Sequence, residues 1–144
     1  WIPTWNGATL QNENRIWQQV IGKTAIQSVG LMGRVRLEQR LLDTASMVGH
    51  RARIFARAGV TFNDTYGLSL WDEAFVHLNN TAYATTGFNQ NRLFVGPYMK
   101  ASQGWRTEFG YLVVVAATGD DLTVNHALAM NLIVRFTAGK SANP

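Results

Sequence analysis

The chain has no cysteine among its 144 residues. That removes disulfides, thiolate metal sites and cysteine nucleophiles, and it is compatible with an envelope location without requiring one. Uninterrupted apolar runs of about eighteen residues or more are missing as well, so no membrane-spanning helix is encoded. The first residues, Trp1 to Asn6, lack the basic-then-apolar order of an export signal, so any such signal is expected to have been removed or truncated. Lysine is scarce, with three residues against ten arginines. The net charge of +4 therefore comes from arginines, most of which alternate with apolar residues. A phosphate-binding surface instead clusters its basic groups on one exposed patch, and the aromatics lack the spacing of a base-stacking motif. Nucleic acid is not an expected partner. No solenoid repeat, low-complexity segment or linker interrupts the chain, and its length suits one domain.

What is present is period-two alternation, in segments separated by clusters of Gly, Asn, Asp, Ser and Thr, the pattern of strands and turns. Seven full strands are expected near Gln11–Gly22, Val29–Asp43, Val48–Phe62, Gly67–Asn79, Asn89–Ala101, Gly104–Ala117 and Val124–Thr137, with Trp1–Trp5 as the end of an eighth. Between Leu31 and Ser46 a helix competes, but Arg34, Arg36, Glu38 and Arg40 set against Val35, Leu37 and Leu41 fit the strand period better. Strands this long exceed the usual five or six residues of soluble proteins and match the nine to eleven or so of a tilted transmembrane strand. The connections Asn79–Asn89 and Thr118–Asn125 are expected to be long and on one side of a membrane. Ser102–Gly104 and Asn63–Tyr66 are expected to be short and on the other. Lys23–Ser28 and Thr44–Met47 do not show that contrast.

The two faces of these strands differ in chemistry. Arg34, Arg36, Glu38 and Arg40 share one face, and Arg51, Arg53 and Arg57 share a face opposite Ala52, Ile54, Ala56 and Ala58. Ser69, Trp71, Glu73, Phe75 and His77 oppose Leu68, Leu70, Ala74, Val76 and Leu78, with Asp72 the exception. Arg92 and Lys100 oppose Leu93, Val95 and Met99, while Leu128, Met130, Leu132, Val134 and Phe136 face away from Asn131 and Arg135.

Alternation alone does not say which face is inside. Three features favour lipid against the apolar one: arginine in place of lysine, acidic residues recurring in the same strands, and an apolar face that is mainly aliphatic. The planar guanidinium suits buried, multi-partner networks. An interior holding Arg34, Arg36, Arg40, Arg51, Arg53, Arg57 and Arg92 needs counter-charge, and Glu38, Glu73 and Glu108 are the expected sources. The arginines outnumber them, so water, carbonyls, asparagine or bound anions must satisfy the rest. Trp1, Trp5, Phe62, Tyr66, Trp105 and Phe136 lie near strand ends, where an interfacial girdle would form, and Trp17 does not.

The runs Arg36-Leu37-Glu38-Gln39-Arg40, Arg51-Ala52-Arg53, Asp72-Glu73-Ala74-Phe75, Phe88-Asn89-Gln90-Asn91-Arg92-Leu93, Gly110-Tyr111 and Asn125-His126-Ala127-Leu128 resemble the bacterial domain-of-unknown-function family 2490. The likeness covers about Glu13 to Phe136. It implies an outer-membrane β-barrel, and it implies no reaction. It further implies strands ahead of Trp1, so that residues 1–144 are expected to be a single domain forming the C-terminal greater part of a longer barrel. The expected architecture is an all-β, antiparallel up-and-down barrel of about eight strands, of transmembrane type with a polar interior, or a curved sheet from a truncated one.

Catalytic signals are thin. Ser69, Glu73 and His77 share one face, which suggests a serine–histidine–carboxylate hydrolase acting on lipid. Residues four apart in a strand, however, are about 13 Å apart, so such a triad would need help from other strands. His50, His77 and His126 lack paired metal-ligand spacing, and Asp120-Asp121 reads as a loop pair that touches a cation at most. Gly59, Gly96 and Gly110 are expected to mark bends or close packing, since no phosphate-binding glycine loop occurs. No cofactor and no protein partner is expected; the bilayer is, with small anions or lipid as ligands. The expected role is a non-enzymatic outer-membrane barrel, either structural or a narrow anion-tolerant, porin-like passage. The alternatives are a membrane-embedded lipid-modifying hydrolase and a soluble lipocalin-like binder with the faces reversed.

Overall fold

The computed structural model describes residues 2–6, 9–43, 45–102, 104–119 and 121–134. Over these the alternation resolves into β1 (Ile2–Asn6), β2 (Thr9–Ile26), β3 (Val29–Leu42), β4 (Gly49–Thr61), β5 (Tyr66–His77), β6 (Gly87–Ser102), β7 (Trp105–Thr118) and β8 (Asp121–Val134). Each strand pairs antiparallel with its chain neighbours, and sheet order follows sequence order from β1 to β8. The architecture is therefore all-β and up-and-down, with no helix among the described residues. The ladder does not close: among the described residues no pairing joins β8 to β1 or β2. The sheet is open, with seven long strands and the short β1. Trp1, Asp120, Arg135, Phe136 and the expected strand end at Thr137 lie outside the described residues.

Two connections are shorter than expected. The one at Lys23–Ser28 shrinks to 27–28, because Thr24 and Ile26 extend the alternation of β2 and Gln27 turns the chain at φ 53°. The loop expected at Thr118–Asn125 is only 119–120. Gly119 takes a left-handed φ of 64° that suits a tight hairpin, and Thr123 and Asn125 continue β8 as inward residues. Polar residues at inward positions had mimicked loop. Connections 27–28, 62–65 and 103–104 lie at one end of the sheet, and the longer 43–48 and 78–86 lie at the other together with 119–120.

A single sheet without a second layer buries side chains only by curling over itself. This one curls toward its charged face. Glu38, Glu73 and Glu108 are 2, 5 and 1 % exposed, whereas Val20, Leu128 and Met130 on the opposite face are 77, 75 and 73 % exposed. A row of small residues crosses the inward face, Gly30 to Gly59 to Ser69 to Gly96, followed by Gly110 beside Ala129. A Cβ at Gly96 would strike the Phe109 carbonyl and the Gly110 Cα, and one at Gly110 would strike the Val95 carbonyl and the Gly96 Cα. β6 and β7 approach here more closely than side chains allow, and the bend depends on both glycines.

Candidate functional site

All four glutamates and all nine arginines of the described residues fall on the inward face, set there by register: Glu13, Arg15, Arg34, Arg36, Glu38, Arg40, Arg51, Arg53, Arg57, Glu73, Arg92, Arg106 and Glu108. The glutamates organise three clusters, each built on one or two buried carboxylates gripped by arginines from the same strand or from others.

At one end Glu13 receives two bidentate forks. Arg15 donates from Nε and Nη2 at 2.9 Å each, and Arg40 on β3 donates to both carboxylate oxygens, from Nη2 at 3.1 Å. In the middle, Glu38 Oε2 accepts from Arg51 Nη2 at 2.6 Å and Nε at 3.0 Å. Arg53 donates from Nη1 to Glu38 Oε1 at 2.8 Å, and from Nε and Nη2 to Glu73 Oε1 at 3.0 and 2.8 Å. That one guanidinium ties the two carboxylates together, and Arg34 Nη2 adds a third donor to Glu73 Oε1 at 2.6 Å. Phe75 lies beneath this cluster, with Arg51, Arg53 and Arg92 at 5.3, 4.6 and 4.9 Å from its ring centroid. At the far end Glu108 pairs with Arg57, which reaches across from β4, and stands 2.9 Å from Arg106 Nη2. Arg106 lies 3.6 Å above the Tyr98 ring, whose hydroxyl meets Thr61 Oγ1 at 2.7 Å.

Charged hydrogen bonds of this kind are strong, and in a low-dielectric interior they offset the cost of burying the ions. They do not balance the charge. Nine arginines against four glutamates leave five guanidinium groups in excess of glutamate carboxylates, and Lys23 and Lys100 lie on the same face. Arg36 is 3.7 Å from Glu38, donates to Gln19 Oε1 at 2.8 and 3.0 Å and stacks on Trp17 at 4.5 Å. Arg92 has an aromatic face as its partner and, among the described residues, no carboxylate within 4.0 Å.

The sequence-predicted hydrolase residues are not brought together. Ser69, Glu73 and His77 all lie buried on the inward face of β5, but no hydrogen bond links their side chains, and Glu73 is taken by Arg34 and Arg53. The histidines are also apart. His50 and His126 face outward on β4 and β8 and His77 faces inward, and no metal-binding group of three forms among the described residues.

The family model described as "Protein of unknown function (DUF2490)" matches residues 2–123. The chain belongs to this family. No curated protein and no solved structure gives a significant match. The matched span of this DUF2490 chain includes every arginine and glutamate of the three clusters.

Several members of the clusters escaped the sequence reading. Glu13 and Arg15 were legible as an alternating pair inside Gln11–Gly22, and Arg106 stands two residues from Glu108. Tyr83 carried no signal. It belongs to the connection 78–86, donates its hydroxyl to the Arg40 carbonyl at 3.0 Å and lies over Gly49, where a Cβ would meet the phenol. Asn79 anchors the same connection, accepting from the His50 amide at 2.7 Å and donating to the Val48 carbonyl at 3.0 Å. This connection thus folds over one end of the charged face.

Proposed function

We propose that this chain is a non-enzymatic β-barrel-type protein of the bacterial outer membrane. Lipid lies against its aliphatic face, and its ion-paired face lines a plugged polar lumen that accepts small anions in preference to cations. The observation that carries the reading is the inverted exposure: glutamates buried, and leucine, valine, isoleucine or methionine open along every long strand but β7, whose open apolar side chains are Trp105, Phe109 and Tyr111. In water such a surface would be a large aggregation liability. In lipid it is the required one.

Other observations agree. The long strands run from 12 to 18 residues. Twelve residues extend about 40 Å, and a tilt of about 45° reduces that to a rise near 28 Å, close to the ~30 Å hydrocarbon core. Exposed Phe62, Tyr66 and Trp105 gather at the end with the short turns, as an interfacial girdle would. Several of the polar residues that do occur on the outward face satisfy one another. Gln18 and Gln39 exchange amide hydrogen bonds at 3.3 Å, Asn91 donates to Asp72 at 2.9 Å, and the Tyr111 hydroxyl meets His126 Nδ1 at 2.6 Å. Mutual pairing is what polar groups without water need.

A lipocalin-like binder would enclose the aliphatic side chains that are exposed here, and a hydrolase would need Ser69 and His77 within hydrogen-bond reach. Ion-paired side chains reach between β3, β4, β5 and β7, which favours a filled interior over an open channel. In planar bilayers the purified protein is expected to give little or no steady conductance, with any openings anion-selective. Steady cation-selective conductance would contradict the reading.

A further inference from the structure

We propose that the small-residue row of the inward face holds a binding site for a small monovalent anion, with Ser69 and Arg106 as its donors. Ser69 is fully buried and its hydroxyl has no partner among the described residues. Arg106 Nε is buried as well and has no hydrogen-bond partner among the described residues, while Nη2, equally buried, has the ion pair to Glu108 Oε1 at 2.9 Å as its one contact. These groups converge. A Cβ on Gly59 would stand 3.9 Å from Arg106 Nη2, and Gly59 is the register partner of Ser69. Directly paired residues hold their Cβ positions about 5 Å apart, so the guanidinium edge and the serine side chain approach the space above Gly59 from two sides.

The chemistry selects the ligand. Arginine has no acceptor, and the serine hydroxyl donates one proton, so a single acceptor between them satisfies all three groups. A neutral acceptor would leave Arg57 and Arg106 facing the lone carboxylate of Glu108, whereas a monovalent anion supplies the second negative charge that this pair of guanidinium groups lacks. Tyr98, stacked on Arg106 and bonded to Thr61, fixes the guanidinium in place. Gly59 supplies the room. The proposal rests on inward-face atoms alone, so it stands or fails separately from the position of the sheet in a bilayer.

Two measurements test it on the full chain in detergent. In crystals soaked in bromide, an anomalous peak is expected above Gly59 within hydrogen-bond distance of Ser69 Oγ and Arg106. A water at that position, or bromide found elsewhere only, would overturn the site. In thermal unfolding, sodium chloride is expected to raise the midpoint above that in sodium gluconate of equal ionic strength. Ser69→Ala, which removes a buried unpaired hydroxyl and should still fold, is expected to raise the half-saturating chloride concentration about tenfold, the loss of one hydrogen bond to a charged group. Arg92→Ala, which takes a cation from the same face outside the cluster, is expected to leave it unchanged. An equal chloride response in wild type and Ser69→Ala, or one abolished by Arg92→Ala alone, would contradict the assignment.

Discussion

β4 and β8 are nearly equal in length, 13 and 14 residues, and share the same alternation, yet their inward faces have little in common. β4 presents Arg51, Arg53 and Arg57, and each finds a glutamate on another strand. β8 presents Thr123, Asn125, Ala127, Ala129, Asn131 and Ile133, is paired on one side only and carries no Lys, Arg, Asp or Glu from Leu122 to Val134. The guanidinium groups of β4 lie between strands that bring carboxylates to them, whereas β8 beyond Asp121 is neutral. The outward faces, by contrast, are alike: Ile54 on β4 and Leu128 on β8 are both exposed. Aliphatic exposure is therefore independent of the ion-pair network, and it calls for a cause outside the sheet.

The comparison can be broken most directly at its centre. Glu38→Ala leaves Arg51 and Arg53 without their shared carboxylate and is expected to cost about 3–5 kcal/mol in urea unfolding, whereas Asn131→Ala on β8 should stay within about 0.5 kcal/mol. Equal costs would show that the centre is no more dependent on charge than the edge. Arginine on the outward face probes what the two strands share. In bilayers Ile54→Arg and Leu128→Arg should each cost about 2–4 kcal/mol near the midplane, and a large cost on one strand alone would separate their outward faces. A smaller effect is expected at the bend. Gly110→Ala forces its Cβ onto the Gly96 backbone and should cost about 1–3 kcal/mol, read as a lower unfolding midpoint.

Much of this was legible in the alternation. Once Arg51, Arg53 and Arg57 are set opposite Ala52, Ile54 and Ala56, the two faces follow, and so do most members of the network. What alternation does not carry is pairing across distance. Nothing in the sequence says that Arg57 reaches Glu108 rather than a nearer acid, because that contact depends on the bend at Gly96 and Gly110. Tyr83 was hidden for a similar reason: its place over Gly49 is fixed by the fold of a connection, which has no period to read. The error at Thr118–Asn125 had a local cause, since Thr123 and Asn125 are polar because they face inward, and polarity next to Gly119 resembles a loop.

The absence of cysteine makes the central claim directly measurable, because single-cysteine variants carry one spin label each. Labels at Ala52, Ile54, Ala56 and Ala58 of β4, in protein reconstituted into bilayers, should relax readily with oxygen and hardly at all with a water-soluble nickel chelate, while a label at Phe55 should not follow them. If the four outward positions instead collide freely with the nickel chelate, the aliphatic face meets water and the membrane reading is wrong.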